Sequence, residues 1–137
     1  MIYTSYFANL RKLPNNVIPV AICAKVPDWY TGARYPDLAP RYDILMKWKD
    51  DHNNDDYAKC FKATTLEPLN LQWTLDKLQI MMPEEVKMQM DRPVWRNHNW
   101  HIALICYEKS EDFCHRHLIA DWLRQNGYEC EEWKPEK

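Results

Sequence analysis

The sequence predicts a single α/β domain built around a small, mostly parallel β-sheet, and three observations lead to this prediction. Two short apolar runs open the chain, the middle has helical spacing, and the last third alternates strand, helix and strand. A length of 137 residues suits one domain with a hydrophobic core and is too short for two ordinary domains. We therefore treat residues 1–137 as one unit.

The first two predicted strands lie at residues 2–7 and 17–23, where apolar, β-branched and aromatic residues form short runs. Pro19 comes early in the second run, a position that an edge or the start of a strand tolerates because proline has no N–H to donate. The following loop, residues 27–40, contains prolines and several aromatic residues. Long loops of this kind are usually functional or pack as a lid.

The segment 41–90 is predicted to be mainly helical, because apolar residues repeat through it at near-helical spacing. Its polar run, residues 50–56, predicts a connection that also supplies an N-cap for the next helix. Asp91-Arg92-Pro93 predicts the end of this segment, since proline disfavours helix in the residue before it.

The last third predicts a strand, a helix and an edge strand. Residues 101–107 are mostly apolar in succession, as in a strand buried on both faces of a parallel sheet. Ser110 is the predicted N-cap of the next helix, with two acidic residues in its first turn, and Gly127 is its predicted stop. Residues 128–133 alternate between apolar and polar as an edge strand does. Disorder is expected only in the charged tail, residues 131–137.

Composition and charge exclude several classes of protein. The formal net charge is -2 with acidic and basic residues mixed, which argues against general binding of duplex nucleic acid or of an anionic membrane. No run approaches the length of a membrane span, and the start of the chain has no features of a signal peptide. Five cysteines, an odd number, fit a reducing cytosol. Glycine occurs only at Gly32 and Gly127, so no glycine-rich phosphate loop can form, and no cofactor is predicted.

Chemically versatile residues concentrate in one stretch, ICYEKSEDFCHRH, residues 105–117. If Cys106 ends a parallel strand, this stretch lies at the carboxyl edge of the sheet, where open α/β sheets bind ligands. Cys114 is then a candidate nucleophile, since cations and a helix start stabilise a thiolate. His115 is a candidate catalytic residue beside it, and because it lies on an apolar stripe, a buried structural histidine is the alternative. Packing of both cysteines in the core is the alternative, because free cysteine is among the most buried residue types.

A metal site and a redox pair are weaker interpretations of the same stretch. Cys106, Cys114, His115 and His117 offer enough ligand atoms, and His98 and His101 could join only through tertiary proximity. Their spacing matches no recognised ligand pattern, so no metal is predicted. The pair Cys106 and Cys114 lacks the close spacing that tunes redox motifs.

Charged and aromatic residues supply further candidates for a pocket at this edge. Glu108 and Arg116 are costly to bury unpaired, so they are expected to pair with each other or to face a polar ligand. The connections after the first two strands should open at the same edge. They contribute Ser5, Tyr6, Lys25, Trp29 and Tyr30 as ligand-binding candidates. The two rings of the second connection either stack on a ligand or close the core.

The chain resembles a bacterial and phage family known as domain of unknown function number four hundred eighty-eight. The resemblance rests on YTSYFANLRKLP, PDWYTG, YPDLAP and above all ICYEKSEDFCHRHLIADWL. The motif of a cysteine and glutamate followed by Cys-His-Arg maps onto Cys106, Glu108, Cys114, His115 and Arg116. The resemblance implies a Rossmann-like, three-layer α/β fold and a site, and it implies no particular reaction.

Two functions are compatible with these residues. The first is a pocket that binds or processes a small anionic, nucleotide-like ligand, in which Arg116 and Lys25 neutralise charge, Glu108 is an acid or base and Cys114 is a nucleophile. The second is a non-catalytic interaction or ligand-sequestering protein whose Cys-His-Arg motif only fixes the helix to the strand. The residues leave open whether the protein is an enzyme, and they do not determine its oligomeric state.

Overall fold

The structure is a computed structural model that describes residues 1–82, 100–109 and 112–135. Its centre is a five-stranded sheet in the order β3-β2-β4-β1-β5, and all of its strand pairs are parallel. The strands are β1 (Ile2–Tyr6), β2 (Val17–Ala21), β3 (Ala33–Arg34), β4 (His101–Cys106) and β5 (Cys130–Glu132). The predicted α/β class and its small parallel sheet are confirmed.

The central strand β4 lies between β1 and β2, and its apolar run explains this position. Residues 102–106 are each 1 % exposed or less, as expected for a strand covered on both faces. Tyr6 pairs with Cys106, and Ala21 pairs with Ile105. Because the strands are parallel and in this register, the carboxyl ends of β1, β2 and β4 meet at one edge of the sheet.

Both edges of the sheet are short strands. β3 pairs with β2 only at Val20 and Ala21, so Pro19 lies on a part of β2 that has no β3 neighbour. The missing N–H of Pro19 therefore breaks no bond to β3, in agreement with the predicted edge position. At the other edge, the three residues of β5 pair with β1.

Four α-helices are described, together with shorter helical turns. They are α1 (Tyr42–Asp51), α2 (Asn54–Phe61), α3 (Leu71–Ile80) and α4 (His115–Gln125), with a π-helical turn at Lys62–Leu66 and 3₁₀ helices at Phe7–Lys12 and Pro36–Leu38. Asn53 caps α2 by accepting a hydrogen bond from the Asp56 N–H, so the polar run 50–56 supplies the predicted N-cap. The predicted helix beyond residue 82 and its end at Pro93 lie outside the described residues.

The predicted start of α4 at Ser110 is wrong. The helix begins at His115, with Cys114 as an N-cap in extended conformation that makes no side-chain capping bond. Ser110 itself lies outside the described residues. The buried stripe of the helix starts at His115 and continues through Ile119, so packing against the sheet determines where the helix begins and overrides the local capping signal. At the other end, Gly127 has φ +86° and terminates the helix as predicted.

The core lies on both faces of the sheet. All four α-helices contribute to the larger cluster, which packs on the face formed by Ile2, Val20 and Leu104. The 3₁₀ helix Phe7–Lys12 and the buried ring of Tyr30 belong to a second cluster on the opposite face. Among the described residues, no helix combines the length and the apolar character that crossing a membrane requires.

Residues 131–137 were predicted to be a disordered tail, but the first of them are ordered in a strand. Glu131 and Glu132 belong to β5, and the Trp133 N–H donates a hydrogen bond of 2.8 Å to the carbonyl of Thr4. The alternating pattern of residues 128–133 therefore indicated the structure correctly, since strand pairing with β1 orders this segment despite its charge.

Candidate functional site

A cavity of about 470 Å³ opens at the carboxyl edge of β2 and β4. Its walls come from the residues that follow β2, from α1 and α2, from the end of β4 and from the start of α4. This is the edge at which parallel α/β sheets bind ligands, because strand ends and helix starts meet there. Five predicted site residues line the cavity: Lys25, Cys106, Glu108, Cys114 and His115.

Two cysteines and a histidine form the floor of the cavity. Cys106 ends β4, Cys114 caps α4 and His115 is the first residue of that helix. One ligand atom from each of the three lies within 4.8 Å of the others, and all three side chains are buried. The two Sγ atoms are in direct contact, while the Cα atoms of the cysteines are 7.8 Å apart.

The imidazole of His115 is oriented by the backbone of the chain. Its Nε2 lies 2.8 Å from the carbonyl oxygen of Ile22. A carbonyl only accepts hydrogen bonds, so Nε2 carries the proton and donates it. The unprotonated Nδ1 lies 3.7 Å from the Sγ of Cys114. Burial, together with the nearby charge of Arg116, lowers the pKa of His115 to about 4, so the ring is neutral near pH 7.

Arg116 is fully buried behind this floor and does not line the cavity. Its guanidinium donates from Nε and Nη2 to the two carboxylate oxygens of Glu132, at 3.0 and 2.9 Å. Nη1 donates to the Sγ of Cys106 at 2.9 Å and to the backbone carbonyl of Glu108 at 2.7 Å. The guanidinium also lies 5.6 Å from the centre of the Tyr6 ring.

Of the two alternatives expected for Glu108 and Arg116, the ion pair between them does not form. Arg116 meets only the backbone carbonyl of Glu108, and its carboxylate partner is Glu132 on β5. Strand β5 pairs with β1 and brings Glu132 over the first turn of α4, a tertiary contact that local sequence does not predict. The carboxylate of Glu108 instead belongs to the cavity wall.

Cationic and aromatic side chains form the walls above the floor. Lys25 and Lys49 line the cavity, and in the described part of the chain neither ammonium group makes an ion pair. The ring of Phe113 stacks on Trp48 at 5.8 Å and meets Tyr57 edge-on at 5.1 Å. Burial raises the pKa of Tyr57.

The backbone beside Lys25 is held by two hydrogen bonds. The hydroxyl of Tyr107 donates to its carbonyl at 2.7 Å, and the thiol of Cys23 donates to the same oxygen at 3.3 Å. These bonds fix the connection after β2 against the end of β4. The Lys25 side chain consequently starts from a defined position at the cavity wall.

Five of the predicted ligand-binding residues lie outside this cavity: Arg116, behind the floor, and Ser5, Tyr6, Trp29 and Tyr30. Ser5 is fully buried beside Ile105, and within the described residues its Oγ has no hydrogen-bond partner. Tyr6 packs against the Arg116 guanidinium. Trp29 is 58 % exposed, and Tyr30 is buried and donates to the carbonyl of Ala33 at 2.6 Å. Tyr30 therefore closes the core rather than covering the cavity.

Two other histidines, His101 and His117, do not join the floor. His101 begins β4 and so lies at the opposite end of the strand from Cys106. His117 follows on α4, and its ring is not part of the converging group. His98 lies outside the described residues.

Several lining residues were missed by the sequence interpretation. Trp48 and Lys49 on α1, Tyr57 on α2 and Phe113 before α4 all line the cavity, as does Cys23. The sequence contained one usable signal, the predicted helix that carries the adjacent pair Trp48 and Lys49. The sequence does not indicate that this helix packs over the sheet edge, because that position depends on packing between distant segments.

Comparison with known proteins identifies a family. The family model DUF488-N3a, described as the active DUF488-N3 subclade, matches residues 10–127. Neither the curated proteins nor the solved structures yield a match. The matched range contains every residue that lines the cavity, and it confirms the resemblance carried by the Cys-His-Arg motif. The chain belongs to the DUF488 family, within its N3 subclade.

Proposed function

We propose that the cavity binds a small anionic ligand that carries a planar, nucleotide-like ring. The observation that supports this proposal is that several aromatic rings and two ammonium groups, neither of which forms an ion pair with a described residue, surround one volume of about 470 Å³. A volume of this order suits a small molecule, since ligand pockets usually measure roughly 300–1,000 Å³. Cations bind phosphate or carboxylate, and aromatic rings stack on a flat base.

Lys25 and Lys49 would neutralise the anionic group of the ligand. No glycine-rich loop exists in this chain, so side chains are the available source of positive charge. Arg116 would support this site from behind, because Glu132 already neutralises its charge and its donors are directed at the floor. In this proposal Lys49, and not Arg116, neutralises the ligand charge together with Lys25.

Processing of the ligand would use the wall and the floor together. Glu108 would act as an acid or base at the wall, where its carboxylate has no partner among the described residues. Cys114 and His115 would belong to the reactive centre at the floor. We also propose a cytosolic location in a bacterial or phage-infected cell, which an odd number of cysteines favours.

The binding proposal is tested by calorimetric titration with a nucleoside diphosphate, the matching nucleoside and inorganic phosphate. We expect the diphosphate to bind most tightly, and Lys25→Gln and Lys49→Gln each to weaken it about tenfold, as loss of one charge-assisted hydrogen bond does. Lys59→Gln is the matched control, because Lys59 is exposed on α2 and does not line the cavity. Equal affinity for the uncharged nucleoside, or binding that neither lysine variant weakens, refutes the proposal.

Stacking is tested separately with two tryptophan variants. Trp48→Leu removes a cavity wall and should weaken binding of the same diphosphate, whereas Trp73→Leu changes an exposed ring on α3. A weakening of about tenfold corresponds to the loss of one base stacked on an aromatic side chain. Equal effects of the two variants would show that Trp48 does not contact the ligand.

A second function is a non-catalytic one, in which the Cys-His-Arg motif only fastens α4 to the sheet. The observation that favours it is the set of bonds from His115 to Ile22 and from Arg116 to the end of β4 and to β5. In that case Cys114→Ala lowers the melting temperature and leaves ligand affinity intact. If the protein is an enzyme, Glu108→Gln keeps the fold and the affinity and abolishes turnover.

A further inference from the structure

We propose that Cys106, Cys114 and His115 bind a zinc ion whose fourth coordination position opens into the cavity. The three side chains come from a strand end, a helix cap and a first helical turn, and their ligand atoms converge within 4.8 Å of one another. Two thiolates and one imidazole are a known donor set for zinc with three protein ligands. This inference concerns the floor alone and holds whether or not the cavity takes an anionic ligand.

The distance between the imidazole and the thiol of Cys114 suits tetrahedral coordination. With Zn–N of about 2.0 Å and Zn–S of about 2.3 Å, neighbouring N and S ligands lie about 3.6 Å apart, and His115 Nδ1 lies 3.7 Å from Cys114 Sγ. The Cα atoms of Cys106 and Cys114 are 7.8 Å apart, beyond the roughly 4.4–6.8 Å that a disulfide spans. Because the two Sγ atoms are in direct contact in this structure, binding one ion requires both cysteines to be reduced and their side chains to turn until the sulfurs lie about 3.8 Å apart.

The groups around the three ligands orient them for a metal. A histidine that binds a metal usually donates its other ring N–H to a carbonyl or carboxylate, and His115 donates Nε2–H to Ile22. The lone pair of Nδ1 is thereby directed at Cys114. Arg116 donates to the Sγ of Cys106, which stabilises that sulfur as a thiolate.

The charges at the floor also balance with a dication. Two thiolates, a neutral imidazole and one Zn²⁺ sum to zero, and the Arg116 charge is already neutralised by Glu132. A buried site with no net charge avoids the cost of removing an isolated ion from water. Two buried thiolates without the metal would leave a negative charge uncompensated.

The cavity determines the type of zinc site. All three ligands line the same volume, so the fourth position faces space that a water molecule or an oxygen of a ligand can occupy. Structural zinc sites have four protein ligands, whereas three protein ligands and an open position characterise a catalytic site. The floor is consequently a Lewis-acid centre placed under the Lys25 and Glu108 walls.

The test begins with elemental analysis of protein purified without a polyhistidine tag. We expect about one zinc ion per chain, loss of that zinc in Cys106→Ser and Cys114→Ser, and retention in Cys23→Ser. Cys23 lines the same cavity, but its thiol donates to the Lys25 carbonyl, so it is the matched control. Metal lost equally from Cys23→Ser, or iron in place of zinc, overturns the assignment.

Measurements on the wild-type chain decide the question if a cysteine variant fails to fold. X-ray absorption at the zinc edge should show two sulfur ligands at about 2.3 Å and nitrogen or oxygen ligands at about 2.0–2.1 Å. Reduced, chelator-treated protein should bind Co²⁺ and give the intense visible bands of a tetrahedral thiolate site. A reduced wild-type protein that takes up neither zinc nor cobalt, or a shell with a different number of sulfurs, refutes the proposal.

Discussion

The carboxylate of Glu132 accepts two hydrogen bonds from the guanidinium of Arg116, at 3.0 and 2.9 Å, and this pair joins the first turn of α4 to the edge strand β5. Arg116 is fully buried, and the side chain of Glu132 is 14 % exposed. The floor of the cavity therefore depends on a residue in the last few positions of the described chain. From this position Arg116 also donates a hydrogen bond to the Sγ of Cys106.

Removal of the Glu132 charge should strongly destabilise the protein. In Glu132→Gln the buried guanidinium loses its counter-charge, which in such pairs costs about 3–5 kcal/mol of unfolding free energy. Denaturant titration measures the loss. Asp121→Asn is the control, because the pair of Asp121 with Arg124 lies on the exposed side of the same helix and should contribute about 1 kcal/mol or less. Similar losses in the two variants would contradict the buried pair.

The stability of the metal-free protein should fall as the pH falls below 6.5. Burial lowers the pKa of His115 in the folded state to about 4 from its ordinary value of 6.5, so between these values the unfolded chain binds a proton that the folded chain excludes. The folded state is then disfavoured, by about 1 kcal/mol at pH 5.5 and by about 3 kcal/mol at most. The pKa of the partly buried His117 is also lowered by burial, which acts in the same direction.

This pH dependence is measured by unfolding the protein in denaturant at pH 7.5 and pH 5.5 with a chelator present. His115→Gln should reduce the difference between the two values, whereas His52→Gln, at the exposed end of α1, should leave it unchanged. A His115→Gln variant with the full wild-type difference would show that His115 titrates normally in the folded state.

Alkylation of the native, metal-free protein should label Cys60 first. Its side chain is partly exposed, whereas Cys23, Cys106, Cys114 and Cys130 are buried. Burial also raises the pKa of Cys130 to about 12, which leaves almost no thiolate to react near neutral pH. Mass spectrometry of peptides over time measures the order, and Cys60→Ser should abolish the fast phase. Cys114 labelled as fast as Cys60 would indicate an activated, accessible thiol instead.

Substitution of Gly127 should lower the unfolding free energy, and by more for residues that tolerate a positive φ less well. Gly127 has φ +86°, and no atom lies within 4 Å of an added Cβ, so sterics with neighbours do not contribute. Gly127→Ala should lower the unfolding free energy by about 1–2 kcal/mol, and Gly127→Asn by less, because asparagine tolerates the left-handed region better. Thermal unfolding compares the variants. Equal losses for alanine and asparagine would point to another cause than φ.

The parallel sheet and its ligand edge could be predicted because their signals are local. Consecutive apolar residues in β4 indicate a strand covered on both faces, and the residues that follow such a strand necessarily lie at its carboxyl edge. Five predicted site residues, among them Cys106 and His115, therefore line the cavity. These positions follow from the order of elements along the chain.

The features that could not be predicted depend on contacts between distant segments. The partner of Arg116 is 16 positions away, on a strand whose charge suggested disorder. Trp48 becomes a cavity wall only because α1 packs over the sheet edge. The hydroxyl of Tyr30 donates to the carbonyl of Ala33, which holds the ring in the core. The spacing of apolar residues along the sequence does not predict this contact. In each case tertiary packing outweighs local propensity.

The short edge strands have a consequence for how copies of this protein meet. An edge strand with unpaired N–H and C=O groups is a template for pairing with another chain, which leads to aggregation. Here the edge strand β3 has only two residues, and the edge strand β5 has only three. Beyond the end of β3, the exposed side of β2 contains Pro19, which has no N–H to donate. Concentrated solutions of the folded protein should therefore resist growth of intermolecular sheets from either side.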